Sequence, residues 1–119
     1  MHKIESILLV EDETMLRELL TEFLVDAGFT VVSCDSAEVG QAMLTSGAYD
    51  AVVADNRLAG ALTGVALLRS AEAENPRLGL VLMSGNPQPP DGLPERAVFV
   101  PKPCSSAALL NALMRATSG

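Results

Sequence analysis

Five short apolar runs punctuate the chain, at residues 7–10, 30–34, 51–54, 80–83 and 97–100, and they read as β-strands. Most are continuously apolar, the pattern expected when both faces of a parallel sheet are covered. Between them the period changes to that of helices. Leu16, Leu19, Leu20, Phe23, Leu24 and Ala27 fall on one helical face, with Gly28 as the stop. Ser36 is placed as the N-cap of a second helix that carries Val39, Met43 and Leu44 and ends at Gly47. A third helix is predicted from about Thr63 to Asn75, with Leu67, Leu68 and Ala71 inward and Pro76 beyond its end. The last starts at Ser105 or Ser106 and is expected to bury Leu109, Leu110, Leu113 and Met114.

Alternation at this spacing implies right-handed crossovers and an α/β, doubly wound, five-stranded parallel sheet with helices on both faces. It breaks once. Residues 85–96 contain four prolines and two glycines, which oppose a helix, so the fourth helix is expected to be replaced by a loop with at most a short turn near residues 93–96.

A length of 119 residues allows one domain, expected to span 1–119, and 49% hydrophobic residues argue for a packed core rather than disorder. With aromatics at only 3%, aliphatic side chains must fill that core. Eight Lys plus Arg against fifteen Asp plus Glu give a net charge of −7, which disfavours nucleic acid or an anionic membrane as direct partner. No apolar run approaches the roughly 20 residues of a membrane span, and the N-terminus lacks the apolar core of a signal peptide, so a cytoplasmic location is expected. Cys34 and Cys104 have no metal-ligand spacing and are read as reduced, buried thiols. The single histidine, His2, argues against a Ser-His-Asp triad or a histidine-rich metal site.

In open parallel sheets ligands bind beyond the carboxyl ends of the strands. The polar residues there are Glu11 and Asp12 after the first strand, Asp55 after the third, Ser84 after the fourth and Lys102 after the fifth. Each alone has a plain structural explanation: helix-capping acids, a solvated carboxylate, a turn hydroxyl, a surface ammonium. Together they are harder to dismiss, because three carboxylates at one sheet edge repel unless a cation or the lysine compensates them. A hard divalent ion such as Mg²⁺ takes one or two carboxylates and completes its shell with water and phosphate oxygens. A carboxylate can attack phosphorus while cation, lysine and hydroxyl stabilise the transferred oxygens.

Four motifs occur in order: Ile7-Leu8-Leu9-Val10-Glu11-Asp12-Glu13, Asp50-Ala51-Val52-Val53-Ala54-Asp55, Leu82-Met83-Ser84-Gly85 and Val100-Pro101-Lys102-Pro103. On them the chain resembles, over essentially its whole length, the receiver domain of two-component response regulators, the CheY-like superfamily. The resemblance implies the flavodoxin-like strand order 2-1-3-4-5 and a phosphoacceptor signalling module rather than an enzyme with separate substrate turnover. It implies Asp55 as phosphoacceptor, Asp12 as direct Mg²⁺ ligand, Glu11 acting on the metal largely through water, and the Arg57 backbone carbonyl completing the protein's share of the shell. Ser84 and Lys102 would bind the phosphoryl group, Phe99 occupies the aromatic switch position, and a cis bond before Pro103 would aim the lysine into the site. The implied partner is a histidine kinase or histidine phosphotransfer protein, docking beside the first helix on Met15, Glu18 and Glu22. A pseudo-receiver acting only through protein contacts is the alternative, and the intact acidic, serine and lysine set counts against it.

Three departures from the family pattern stand out. Ala59 replaces the usual proline, which should loosen the loop after Asp55; Gly64 lies nine residues after Asp55, one more than in many receivers and like those attached to hybrid kinases; and the fourth helix is missing. Residues 86–96 are therefore expected to be mobile and to reorder on phosphorylation, changing a surface shared with Phe99 and the final helix. With nothing after Gly119, the chain reads as either a stand-alone receiver or part of a longer protein, the initial Met favouring the former.

Overall fold

The computed structural model describes residues 5–58 and 60–117; Ala59 and His2 lie outside the described residues. The apolar runs form β1 (Ser6–Val10), β2 (Thr30–Cys34), β3 (Ala51–Asp55), β4 (Gly79–Ser84) and β5 (Val98–Pro101). All pair in parallel, in the order β2-β1-β3-β4-β5. The expected topology is therefore present.

The sheet is covered on both faces because successive side chains point to opposite sides. Leu8, Val10, Val52, Ala54, Leu80 and Leu82 pack towards α2 (Ala37–Ser46) and α3 (Gly64–Glu74), against Ala37, Leu67, Leu68 and Ala71. Ile7, Leu9, Val53, Val81, Met83 and Val100 pack towards α1 (Thr14–Asp26) and α4 (Ser106–Thr117), against Leu24, Leu109, Ala112 and Leu113. Every residue of β3 and β4 is buried, which is why those runs show no alternation. The edge strand β2 exposes Thr30 and Ser33. Each buried leucine contributes about 1.5–3 kcal/mol by its removal from water.

The helix ends follow local chemistry. Ser36 Oγ accepts the amide of Val39 at 3.2 Å and Thr63 Oγ1 that of Ala66 at 3.1 Å, each capping its helix. Gly28, at φ +105°, turns the chain out of α1.

Three side chains read as core from their helical pattern are instead exposed: Leu19 (63%), Met114 (66%) and Ala27. Leu24 is the buried line of α1, and Leu19, five residues earlier, stands about 140° around the helix from it. Met114 bears the same relation to Leu109 in α4. Ala27 lies one residue past the end of α1, where the stripe no longer runs along the sheet.

β4 passes to β5 without an intervening helix, as expected from the prolines. The segment is not uniformly open, however. Residues 85–89 are exposed, whereas Leu93 packs on the core, Pro94 is buried, and the Arg96 guanidinium donates to the backbone carbonyl of Leu78 and pairs with Glu72 at 3.0 Å.

Candidate functional site

All five strands end at one edge of the sheet, and the backbone ladder runs one residue further at three of them. The amide of Glu11 donates to the Cys34 carbonyl at 3.0 Å, that of Asn56 to Met83 at 2.9 Å and that of Lys102 to Ser84 at 2.7 Å. The side chains just beyond the strands are therefore held on fixed backbone.

Lys102 Nζ lies 3.0 Å from Glu11 Oε1 and 3.1 Å from Asp55 Oδ2, bridging two carboxylates that are 91 and 47 positions away in the chain. Glu11 is almost fully buried, and its second oxygen accepts the Glu13 amide at 3.1 Å. Asp12 stands exposed at the mouth. One carboxylate oxygen from each of Glu11, Asp12 and Asp55 lies within 4.8 Å of the others.

Three carboxylates against one ammonium leave two negative charges in excess when all are ionised. Burial raises the Glu11 pKa above its ordinary value, with the Glu13 amide and Lys102 working against that rise and the charge of Asp55 adding to it. Burial pulls the Lys102 pKa down, but its hydrogen bonds and ion pairs with Glu11 and Asp55 outweigh this and hold it above the usual lysine value. The lysine is thus an ammonium throughout the neutral range. An excess of hard carboxylate oxygens, one of them on an exposed side chain, fits a hard divalent cation such as Mg²⁺.

Around this centre, Ser84 is buried and its Oγ accepts the Asn86 amide at 3.2 Å, so here it serves as a turn hydroxyl. The Lys102–Pro103 peptide bond is cis. Arg57 is exposed two residues beyond Asp55. Phe99 pairs in register with Leu82 and is half-buried on the face that carries α2, α3 and Leu93. That corrects the expectation that it shares a surface with the final helix: α4 covers the other face, against Val98 and Val100. The strand alternation separates them. Met15 (80% exposed), Glu18 and Glu22 project from α1 to solvent, and the unexpectedly exposed Leu19 extends their apolar component.

Three supporting residues were not evident in the sequence. Arg17 Nη1 donates to the Glu11 carbonyl at 2.9 Å, steadying the turn that presents the acidic pair. The Asn56 carbonyl accepts the Gly64 amide at 3.1 Å and its side-chain oxygen the Val65 amide at 3.4 Å, closing the loop after Asp55. The third is Glu38, whose carboxylate accepts two amides of that loop. An Asx residue directly after a strand is a turn signal that could have revealed Asn56; the other two depend on tertiary placement.

The family model for the response regulator receiver domain matches residues 7–114. The chain is 32% identical over 115 residues to the C4-dicarboxylate transport transcriptional regulatory protein DctD of Rhizobium meliloti (strain 1021), covering 93% of this chain and 25% of DctD. The chain thus spans about a quarter of the length of the curated relatives it matches. A response regulator receiver protein from Sinorhizobium medicae WSM419 superposes with a TM-score of 0.83 at 31% identity, over 97% of this chain and 95% of that one. The receiver domain of sensor histidine kinase PA1611 from Pseudomonas aeruginosa PAO1, solved with magnesium coordinated in its active-site cleft, shares the fold with a TM-score of 0.85 at 22% identity, over 98% of this chain and all of that one.

Proposed function

The chain belongs to the response regulator receiver domain family, and on that premise we propose that Asp55 is the residue through which it takes up a phosphoryl group. It is a phosphoacceptor signalling module of a two-component system. The single observation that carries the assignment to Asp55 is the lysine bridge: Lys102 Nζ within 3.1 Å of Asp55 and 3.0 Å of Glu11, beside the exposed Asp12.

In the proposed reaction an Asp55 carboxylate oxygen attacks the phosphorus of a phosphohistidine on a histidine kinase or histidine phosphotransfer protein. The new O–P bond forms as the P–N bond breaks, and the imidazole departs with its electron pair and takes a proton. Water later cleaves the acyl phosphate and restores the carboxylate. Lys102 already lies on Asp55, so it meets the incoming phosphoryl oxygens with little movement and neutralises charge that grows during transfer. Ser84 donates its hydroxyl to the same oxygens once it exchanges its present turn contact for them. Asp12, Asp55 and the Arg57 carbonyl would hold Mg²⁺, with Glu11 acting through water. The ion supplies further charge neutralisation at the transferred group. The fit of the three acids to such an ion supports this reading, as does the magnesium found in the PA1611 receiver.

The donor protein docks on α1, with Met15 as apolar anchor and Glu18 and Glu22 beside it. Activation reorders the exposed half of the β4–β5 connection through Ser84, with Phe99 answering on the α3 side of the sheet. A cytoplasmic setting accords with two unpaired thiols and with the histidine donor; no helix among the described residues is long and apolar enough to cross a membrane. A pure interaction module would have no need of a lysine held between two buried acids.

The test is incubation with a small phosphodonor and Mg²⁺, followed by intact-mass analysis. The unmutated chain gains one phosphoryl group and Asp55→Ala gains none. Stoichiometric phosphorylation of Asp55→Ala at another residue would refute the assignment.

A further inference from the structure

The loop between β3 and α3 leaves the sheet at Asp55 and returns so closely that a Cβ on Gly64 would lie 2.3 Å from the Asp55 carbonyl oxygen. Asn56 closes its base through Gly64 and Val65. Its outer part is held from a different element. Glu38, in the first turn of α2, accepts the Ala61 amide at 3.2 Å and the Leu62 amide at 3.1 Å, both on Oε2.

Three features show that this contact is built into the fold. Gly60 stands at φ +102°, and a Cβ there would come within 3.0 Å of the Glu38 carboxylate, so glycine permits both the turn and the close approach. Leu62, directly beyond, is drawn down onto the core that underlies α2 and α3. The anchor itself is firm: Ala37 and Gly40 on either side of Glu38 are buried, and a Cβ on Gly40 would meet Val10 at 3.0 Å. The amides also hold the Glu38 carboxyl below its ordinary pKa, its own backbone amide first and that of Leu62 next.

The geometry points to Glu38 as a positioning residue for the phosphoacceptor site, clamping the loop that carries the Arg57 carbonyl and so setting the affinity for Mg²⁺. The inference rests on the metal-site reading above. The Asn56 closure and the Glu38 clamp thus hold the loop from two separate points. A loop held in advance loses less conformational entropy when it binds an ion.

Mg²⁺ titration by calorimetry and amide exchange by NMR on unmutated, Glu38→Ala and Glu38→Gln proteins test it. Glu38→Ala is expected to weaken Mg²⁺ binding by about tenfold, the low end for loss of a group that supports a ligand, and, without metal, to speed exchange at Ala61 and Leu62. Glu38→Gln keeps an acceptor oxygen and is expected to recover most of both. Should Glu38→Ala not fold, Glu38→Asp, one methylene too short to reach, serves as the second disrupting variant. Equal Mg²⁺ affinity in the disrupting variant and the unmutated protein overturns the role of Glu38 alone. Absence of Mg²⁺ binding by the unmutated protein instead overturns the metal reading, and this inference with it.

Discussion

Replacing Lys102 with methionine keeps most of the stem volume and deletes the ammonium that bridges Glu11 and Asp55. Glu11, at 1% exposure, then has no countercharge at 3.0 Å, and the loss of one partner from a buried pair costs about 3–5 kcal/mol when the remaining charge cannot escape. Here it can escape by taking a proton. Holding a proton at pH 7 on a carboxyl of ordinary pKa 4.5 costs 2.5 units at about 1.36 kcal/mol each, so the loss is capped at about 3.4 kcal/mol. At pH 5 only half a unit separates the two, and the cap falls to about 0.7 kcal/mol. The sign follows from linkage: without the lysine the folded-state pKa of Glu11 rises further above its unfolded value. The variant is therefore least penalised below the unfolded value and loses stability as pH rises towards the folded one. Urea unfolding followed by circular dichroism at both pH values reads this directly, the chain having no tryptophan. Mg²⁺, placed at the same carboxylates, should return part of the loss at pH 7. An equal loss at pH 5 and pH 7 would refute the electrostatic account and assign the effect to packing of the lysine stem.

Gly64→Ala puts a Cβ 2.3 Å from the Asp55 carbonyl oxygen and 2.9 Å from Asn56 Cα, backbone atoms that cannot yield cheaply. A loss of about 3 kcal/mol in urea unfolding, with slower phosphoryl uptake, is expected; full stability would show that the loop gives way freely. In the β4–β5 connection, hydrogen exchange should divide at the anchored half, fast at Gly85, Gln88 and Asp91 and slow at Ala97, whose amide is bonded to the Pro94 carbonyl at 3.0 Å. A phosphoryl mimic should slow the fast group, and strong protection throughout in both states would rule out reordering. Met15→Lys should slow transfer from the cognate kinase by roughly tenfold with the fold intact; an unchanged rate would remove α1 from the docking surface.

What could be read from the sequence follows from the range of the interaction that fixes each feature. The continuous apolar runs of β3 and β4 state their burial without reference to anything else, and four prolines between residues 86 and 95 are enough to exclude a helix. Helix phase is less local. Leu19 and Met114 share a periodic pattern with true core residues, and only the angle at which α1 and α4 lie on the sheet decides that a residue about 140° from the buried line meets water. Contacts that join distant segments through backbone atoms leave no pattern at all. Nothing in the order of residues ties Glu38 to the amides of Ala61 and Leu62 or Arg96 to the Leu78 carbonyl.

The acidic edge lies between these cases. The motifs name Glu11, Asp12, Asp55 and Lys102 by type, but three acids could share an edge and each remain solvated. The parallel register removes that freedom: Val10 pairs with Ala54, so Glu11 and Asp55 emerge side by side, and Ser84 pairs with Pro101, so Lys102 follows one residue beyond. With Glu11 and Asp55 both buried there, their repulsion must be met by a cation, and Lys102 supplies one charge against three. In a sheet that forces this crowding, the lysine offsets part of the repulsion before any phosphate is present. The same lysine is the group best placed to follow negative charge when it moves from the carboxylates to a phosphoryl group.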